Sequence, residues 1–284
     1  MIWDEQPSLH DPFMVVAFKG WNDAADAASN SMAWMRHRWN ATKVGHLDPD
    51  PYFDFQAVRP QVKITGGVTR EIDWPAIEFH AARPANAEHD ALLVSGVEPS
   101  FSWRGICDEL LEVASALGCR TIVTIGALLA DTPHTRPTRL IGTAPSAETV
   151  KQLGLVESRY EGPTGIVGAL HDACRRAQVP SISLWAPVPH YLAVPPNPKA
   201  TRALLIKVPE LLGATIDLHE MDWVSKMWEQ QINRVVANDA EMAAYIARLE
   251  EQADTAAAEE LVDGETLAAQ FEDYLRDQGN PSTD

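Results

Sequence analysis

The chain has 284 residues and a formal net charge of −17, with 45% hydrophobic and 22% charged side chains. This composition is typical of a folded globular protein and excludes an intrinsically disordered chain. The acidic balance argues against a nucleic-acid partner, because binding to phosphates needs a surplus of Lys and Arg on one face.

The N-terminal stretch and the cysteines predict a soluble cytoplasmic protein without a metal site. Residues 1–13 contain two early acids and a proline, which is unlike a secretory signal. No apolar run approaches the roughly 18 residues that span a bilayer, so no membrane partner is expected. Cys107, Cys119 and Cys174 are scattered and form no CxxC pair, a pattern typical of a reducing compartment.

The first predicted elements are a strand and a helix joined at "FKGWNDAADAAS", residues 18–29. A strand–glycine–helix junction can hold a phosphate, which makes Gly20 a weak candidate for anion binding. However, the junction has only this one glycine, and Asn22 or Asp23 can cap the helix directly. The pattern therefore favours a capped helix over a phosphate site.

Four apolar runs predict the strands of a central sheet. Each run is hydrophobic on successive residues, as a strand covered on both faces requires. The runs span 14–18, 91–95, 121–125 and 181–186. Helices are predicted at 22–39, 101–117, 163–177 and 197–212. This alternation predicts an α/β fold with three α/β/α layers and a mostly parallel sheet.

The remaining segments have different patterns. Residues 43–88 contain short half-polar strands and a Gly66-Gly67 turn, which predict an antiparallel flank or extension of the sheet. From 217 onward, apolar residues recur at three- and four-residue steps, as on a helix face that forms core or subunit interface. Asn238 or Asp239 can restart this helix.

The C-terminal region is strongly acidic. Residues 239–284 carry 13 acidic side chains against Arg248 and Arg276, and Leu267, Phe271 and Leu275 predict a short amphipathic helix. We expect an α/β core, a helical region that packs on the core or on a neighbouring subunit, and an acidic tail with a short helix. These parts span 1–216, 217–253 and 254–284.

The loop "GALLADTPHTRPTRLIG", residues 126–142, is the sharpest candidate site because ligands gather after the carboxyl ends of parallel strands. Asp131 and His134 could form an acid–base pair or half a metal site, with Arg136 beside them. No second His or Cys lies nearby to complete a metal site. In the alternative interpretation, Asp131 caps a turn and the arginines pair with acids of the protein.

Two further segments are predicted to reach the same edge of the sheet. Glu98 follows the strand at 91–95 and His190 follows the strand at 181–186, so both would line one crevice with the 131–139 loop. "EGPTGIVGAL", residues 161–170, places Thr164 and Gly165 at a helix start as weak anion candidates. No cofactor is predicted, since no complete cofactor motif is present.

Four segments together resemble the actinobacterial branch of the proteasome assembly chaperone 2 family. They are "FKGWNDAADAAS", "YFDFQAVRP" (52–60), "GALLADTPHTRP" (126–137) and "PTGIVGAL" (163–170), and the resemblance covers roughly residues 10–250. It implies a fold similar to the nucleoside phosphorylases and a homo-oligomer, with a trimer as the expected state. Eukaryotic members help to assemble the proteasome α-ring, and the family implies no catalytic residues.

Two functional hypotheses follow. The first is a non-enzymatic assembly or scaffold protein that acts through its surface and its oligomer interfaces. The second is an enzyme or small-molecule binder that uses the crevice of Glu98, Asp131, His134, Arg136 and His190. The chain ends "GNPSTD" and lacks the hydrophobic–Tyr–X ending of eukaryotic members, so direct docking to the proteasome is not expected.

Overall fold

A computed structural model describes residues 1–67 and 69–258, and the predicted helix at 267–275 lies outside this part of the chain. The described residues form a nine-stranded mixed sheet in the order β1-β3-β6-β7-β2-β8-β11-β9-β10, and a separate hairpin of β4 and β5. The strands are β1 (Ile2–Trp3), β2 (Phe13–Lys19), β3 (Thr42–His46), β4 (Gln61–Thr65), β5 (Thr69–Asp73), β6 (Glu78–Ala82), β7 (Ala91–Val97), β8 (Thr121–Ala130), β9 (Ile141–Thr143), β10 (Val156–Glu157) and β11 (Ser181–Pro189).

The four predicted apolar runs form the centre of the sheet. Strands β7, β2, β8 and β11 are neighbours and run parallel to one another. Along β2, Phe13 and Val15 pack into one apolar cluster while Met14 and Val16 pack into the other. Both faces of this strand are buried, which explains why its sequence is apolar on successive residues instead of alternating. The predicted α/β class is confirmed.

Helices α1 (Ala27–Arg38), α2 (Trp103–Ala116), α4 (Ile166–Arg176) and α5 (Pro198–Leu211) cover the two faces of the sheet. Two further helices are α3 (Ala147–Gln152) and α6 (His219–Val236). Met32 of α1 and Leu204 of α5 pack in the cluster on one face. Ile106 of α2 and Leu170 of α4 pack in the cluster on the other face. The central part of the fold therefore has three layers.

The predicted helix at 22–39 begins later in the structure. Ala25 and Asp26 adopt left-handed backbone angles with φ of 51° and 55°, so a short 3-10 turn precedes α1. Asp23 still caps the helix, because its Oδ1 accepts the backbone N–H of Ala28 at 2.7 Å. Burial raises the pKa of the Asp23 carboxyl.

The segment 43–88 forms the antiparallel flank that its sequence predicts. Strands β3 and β6 pair antiparallel, and β6 pairs antiparallel with β7. Between β3 and β6, strands β4 and β5 fold into a two-stranded sheet of their own, which turns at Gly66 and Gly67. The positive φ angles of these two glycines, 62° and 79°, are unfavourable for other residues.

The chain divides into two compact units. The larger unit contains Met1–Ala130 and Pro137–Trp228, and the smaller contains Asp131–Arg136 with, among the described residues, 229–258. In the smaller unit, residues 240–258 are helical. Asp239 Oδ1 caps this helix by accepting the backbone N–H of Met242 at 3.0 Å. Asn238 instead donates its side-chain amide to the carbonyl of Arg234.

Candidate functional site

Glu98 lies at the carboxyl edge of the parallel strands, directly after β7. Its backbone N–H donates to the carbonyl of Lys19 at the end of β2. Its Oε1 accepts the side-chain amide of Asn22 at 2.6 Å and the backbone N–H of Ile166 at 3.0 Å. A helix start has unpaired N–H groups and a positive dipole end, so a carboxylate there is stabilising. The chain thus provides its own anion at the start of α4.

Gly165 and Gly20 allow the backbone to approach this carboxylate closely. A Cβ atom on Gly165 would lie 2.5 Å from Oε1 of Glu98 and 2.6 Å from Oδ1 of Asn22, closer than packed atoms tolerate. A Cβ atom on Gly20 would lie 3.3 Å from the Cβ of Glu98, and its φ of 135° already favours glycine. Both anion candidates therefore surround the carboxylate of Glu98. Thr164, the residue before Gly165, is exposed.

Asn22 joins three elements at this edge. The residue is 1% exposed, and its backbone carbonyl accepts the N–H of Ala127 in β8 at 2.8 Å. Its side-chain amide holds Glu98, while its Oδ1 is buried with no hydrogen-bond partner among the described residues. Loss of the bond to Glu98 would leave the buried side-chain amide of Asn22 unpaired as well, which would lower the stability of the fold.

Five large apolar side chains on segments at or after the ends of strands are exposed to solvent. Their exposed fractions are between 50 and 82%. They are Trp21 after β2, Phe101 after β7, Leu129 in β8, Tyr160 before α4 and Val194 after β11. Because neighbouring strands are about 4.8 Å apart, the ends of the four strands span only ~14 Å. We call these five residues the carboxyl-edge surface.

The 131–136 loop belongs to the smaller unit, where its side chains contact the helices that follow Glu229. His134 is 2% exposed, and its Nε2 lies 3.0 Å from Oδ1 of Asn233. The Tyr245 hydroxyl donates to Asp131 at 3.4 Å. These contacts connect the loop to residues about a hundred positions further along the chain.

Arg136 makes the strongest of these contacts. Its Nε and one terminal nitrogen donate to the two carboxylate oxygens of Asp254, each at 2.8 Å, and a further nitrogen lies 3.3 Å from Glu250. This fork geometry is the preferred pairing of arginine with a carboxylate. The guanidinium lowers the pKa of Asp254. The neighbouring Thr135 hydroxyl also donates to Glu250.

The structure therefore places the predicted crevice residues in two units. Glu98 lies in the larger unit with Gly20 and Gly165, and His190 lies there too, in a 3-10 turn with its ring 5.7 Å from that of Tyr191. Asp131, His134 and Arg136 lie in the smaller unit. Within residues 1–67 and 69–258, no group of three His, Cys, Asp or Glu side chains could hold a metal ion.

Sequence reasoning missed the carboxyl-edge surface. The available signal was a large apolar residue soon after the end of a buried strand, as in Trp21 and Phe101. It also missed that Glu98 is held by Asn22. Over the part of the chain that the structure covers, none of the helices has both the length and the apolar character to cross a membrane.

The fold and the edge geometry define an α/β sandwich protein with a sheet of mixed direction. The model of the PAC2 family matches residues 17–236, and the chain belongs to this family. A PAC2 family protein from Streptomyces avermitilis is 45% identical, with a TM-score of 0.77, over 83% of this chain and 99% of that one. A proteasome-assembly chaperone homologue from Mycobacterium tuberculosis is 46% identical, with a TM-score of 0.76, over 82% and 99%. The predicted actinobacterial resemblance is confirmed.

A more distant structure has the same fold. An archaeal proteasome activator from Pyrococcus furiosus is 20% identical, with a TM-score of 0.64, over 83% of this chain and 97% of that one. At this identity the likeness shows the fold alone. A comparison with curated proteins gives no match.

Proposed function

We propose that this protein is a non-enzymatic assembly or scaffold protein of the cytoplasm that works as a homo-oligomer, with a trimer favoured. The observation that carries the proposal is the contrast at the carboxyl edge. The polar groups there, Glu98 and Asn22, bond to each other and to a helix start. Five large apolar side chains on the neighbouring segments are exposed.

This contrast favours a protein partner over a small polar substrate. A catalytic crevice needs polar groups that can reach a ligand, whereas Oε1 of Glu98 already accepts two hydrogen bonds from its own chain. Clustered exposed aromatic and aliphatic side chains instead mark surfaces that bind other proteins. Trp21, Phe101 and Tyr160 are residue types that supply much of the binding energy at such surfaces.

The relatives support the same class of function. The Mycobacterium tuberculosis protein, 46% identical to this chain, is described as a proteasome-assembly chaperone homologue. We therefore take proteasome subunits as the first clients to test. Assembly through a protein surface needs no catalytic residue, so it is compatible with the bonded state of Glu98 and Asn22.

The test combines mass measurement with an assembly assay. Sedimentation should give a multiple of the 31.2 kDa chain mass. When mixed with the α and β proteasome subunits of an actinobacterium, the chain should bind an assembly intermediate or change the yield of complete particles. Trp21→Ser combined with Phe101→Ser should remove this effect. Ile206→Ser, which changes an exposed residue of α5, is the matched control.

Two results would overturn the proposal. One is a monomer that neither binds proteasome subunits nor alters their assembly. The other is a nucleoside or phosphate that raises the melting temperature in proportion to its concentration, with loss of the shift in Glu98→Gln. That second result would support the small-molecule alternative.

A further inference from the structure

The hairpin of β4 and β5 has one apolar face and one charged face. Val62 pairs with Ile72 and Ile64 pairs with Arg70, so these four side chains share a face. On the opposite face Gln61 pairs with Asp73 and Lys63 pairs with Glu71. We call the face of Val62, Ile64, Arg70 and Ile72 the hairpin face.

The hairpin face is exposed to solvent. Val62, Ile64 and Ile72 are 62, 65 and 56% exposed. Among the described residues, β4 and β5 pair only with each other, and an isolated two-stranded hairpin is at best marginally stable in water. Its base is anchored where the Trp74 ring packs edge-on against Phe55 at 4.9 Å. Three exposed aliphatic side chains on one face of a two-stranded sheet are typical of a surface that binds a partner.

The charges favour a second copy of this chain as that partner. Arg70 is the one charged residue on the hairpin face, while Lys63 on the other face pairs with Asp73. The chain has a net charge of −17, so two copies repel each other over most of their surface. The repulsion is weakest at the hairpin face, because this face is apolar and its single charge is positive. The same charge attracts acidic side chains of a neighbouring copy.

The larger unit also contains a groove of matching chemistry. A cavity of about 390 Å³ lies between α1, the start of α5 and α6. Its apolar lining is Ala33, Trp34, Pro196, Pro198, Met221 and Val224. Asp217 and Asp222 line a separate, open depression with Leu218 and His219. It is connected to the groove through the chain, since Trp34 donates to the backbone carbonyl of Asp217 and Asp222 follows Met221.

Both acids already have partners in their own chain. Asp217 contacts Arg38 at 3.7 Å and the ring of His219 at 2.8 Å, and Asp222 contacts Arg202. Their side chains are nevertheless 55 and 50% exposed. A guanidinium from a neighbour can therefore approach them from the solvent side.

We propose that the hairpin face of one copy docks in this groove of a second copy, with Arg70 directed at Asp217 and Asp222. This inference rests on the proposed homo-oligomer and names its contact surfaces. Because two different surfaces meet, the contact is head-to-tail, and such contacts close into rings when the rotation permits.

The test compares two double variants of the full chain that add the same charge to opposite hairpin faces. Ile64→Lys with Ile72→Lys should raise the dissociation constant of the oligomer by about tenfold or more in sedimentation experiments. Gln61→Lys with Thr69→Lys, on the other face, should leave it unchanged. All four side chains are exposed, so circular dichroism should report the same fold in both variants.

A charge exchange tests the groove itself. Arg70→Glu should weaken the oligomer, and the combination with Asp222→Lys should restore it. If the parent chain is a monomer, both the proposed oligomer and this inference fail. If the parent is an oligomer and the variant with Ile64→Lys and Ile72→Lys is still an oligomer, the proposed oligomer stands and only the hairpin contact is wrong. If Asp222→Lys does not restore Arg70→Glu, the groove is not the docking site and the inference is overturned.

Discussion

The carboxylate of Glu98 accepts the backbone N–H of Ile166 at 3.0 Å, so the end of β7 caps the first turn of α4. The two residues are 68 positions apart, and Asn22 holds the same oxygen from the end of β2. The position that would bind a phosphate in many α/β proteins is thus occupied by a side chain of the protein itself.

Replacement of Glu98 by alanine should lower the free energy of unfolding. The change removes the acceptor of two hydrogen bonds and leaves the buried amide of Asn22 unpaired, which costs about 1–3 kcal/mol. Urea unfolding measures the difference. Glu161→Ala, an exposed change in the nearby loop, should stay within about 0.5 kcal/mol of the parent. Equal stability of both variants would contradict a structural role for Glu98.

A comparison of two glycines tests how closely the backbone packs at this edge. Gly165→Ala places a Cβ atom 2.5 Å from Glu98, and such overpacking costs about 1–3 kcal/mol. Gly105→Ala in α2 meets only Tyr52 and Ser102 at 3.8 Å or more, so helix propensity should raise stability by about 0.5–1 kcal/mol. Thermal melting of the two variants should move in opposite directions. A shift in the same direction for both would refute this account.

Arg136→Ala should loosen the helix at 240–258. The variant loses the forked contact with Asp254 and the contact with Glu250, both of which hold this helix. Hydrogen exchange should therefore become severalfold faster at the amides of 240–258. The matched control is Glu251→Ala, an exposed change on the same helix. Unchanged exchange in Arg136→Ala would leave this arginine without a structural role.

His171 should make stability depend on pH. Burial lowers the pKa of this imidazole from 6.5 to about 4. Between these values the unfolded chain binds more protons than the folded chain. The free energy of unfolding therefore falls as the pH drops from about 6.5 toward about 4, by at most roughly 1.4 kcal/mol per pH unit. Below about 4 the residue is charged in both states, and its contribution no longer changes.

Two variants separate the titration of His171 from its hydrogen bonds. The imidazole lies 2.8 Å from the Thr124 hydroxyl and 3.0 Å from the Ser181 hydroxyl. His171→Asn should reduce the pH dependence of urea unfolding between pH 7 and 4. Ser181→Ala should lower stability at every pH but keep the dependence. The buried His80, whose pKa is also lowered to about 4, contributes a background that both variants share. If the free energy of unfolding of His171→Asn depended on pH as steeply as that of the parent, His171 would not be the group that titrates.

Local patterns predicted much of the fold. Successive apolar residues identified the four central strands, because a strand buried on both faces has no polar side. The capping role of Asp23 was among the predicted possibilities, because a cap depends on residues only a few positions apart. The exact start of α1 was not predictable, since the left-handed angles of Ala25 and Asp26 depend on their surroundings.

The candidate site was only partly predictable. Sequence order correctly placed Glu98 after β7 and Gly165 just before α4, but it did not indicate that the two segments meet. In the same way, the sequence indicated that Arg136 could pair with acids, but it did not indicate that these acids are Glu250 and Asp254. Contacts between residues about a hundred positions apart depend on the order of strands and helices in space.

The sequence by itself determined the class of fold and the family, because burial periodicity and short motifs are local properties of the chain. Only the tertiary structure decided which polar groups are already bonded and which apolar groups remain accessible. The carboxylate of Glu98 and the ring of Trp21 follow neighbouring strands, yet one is held by Asn22 and Ile166 and the other is 64% exposed. That difference arises from packing between segments that are distant in the sequence, which local patterns do not encode.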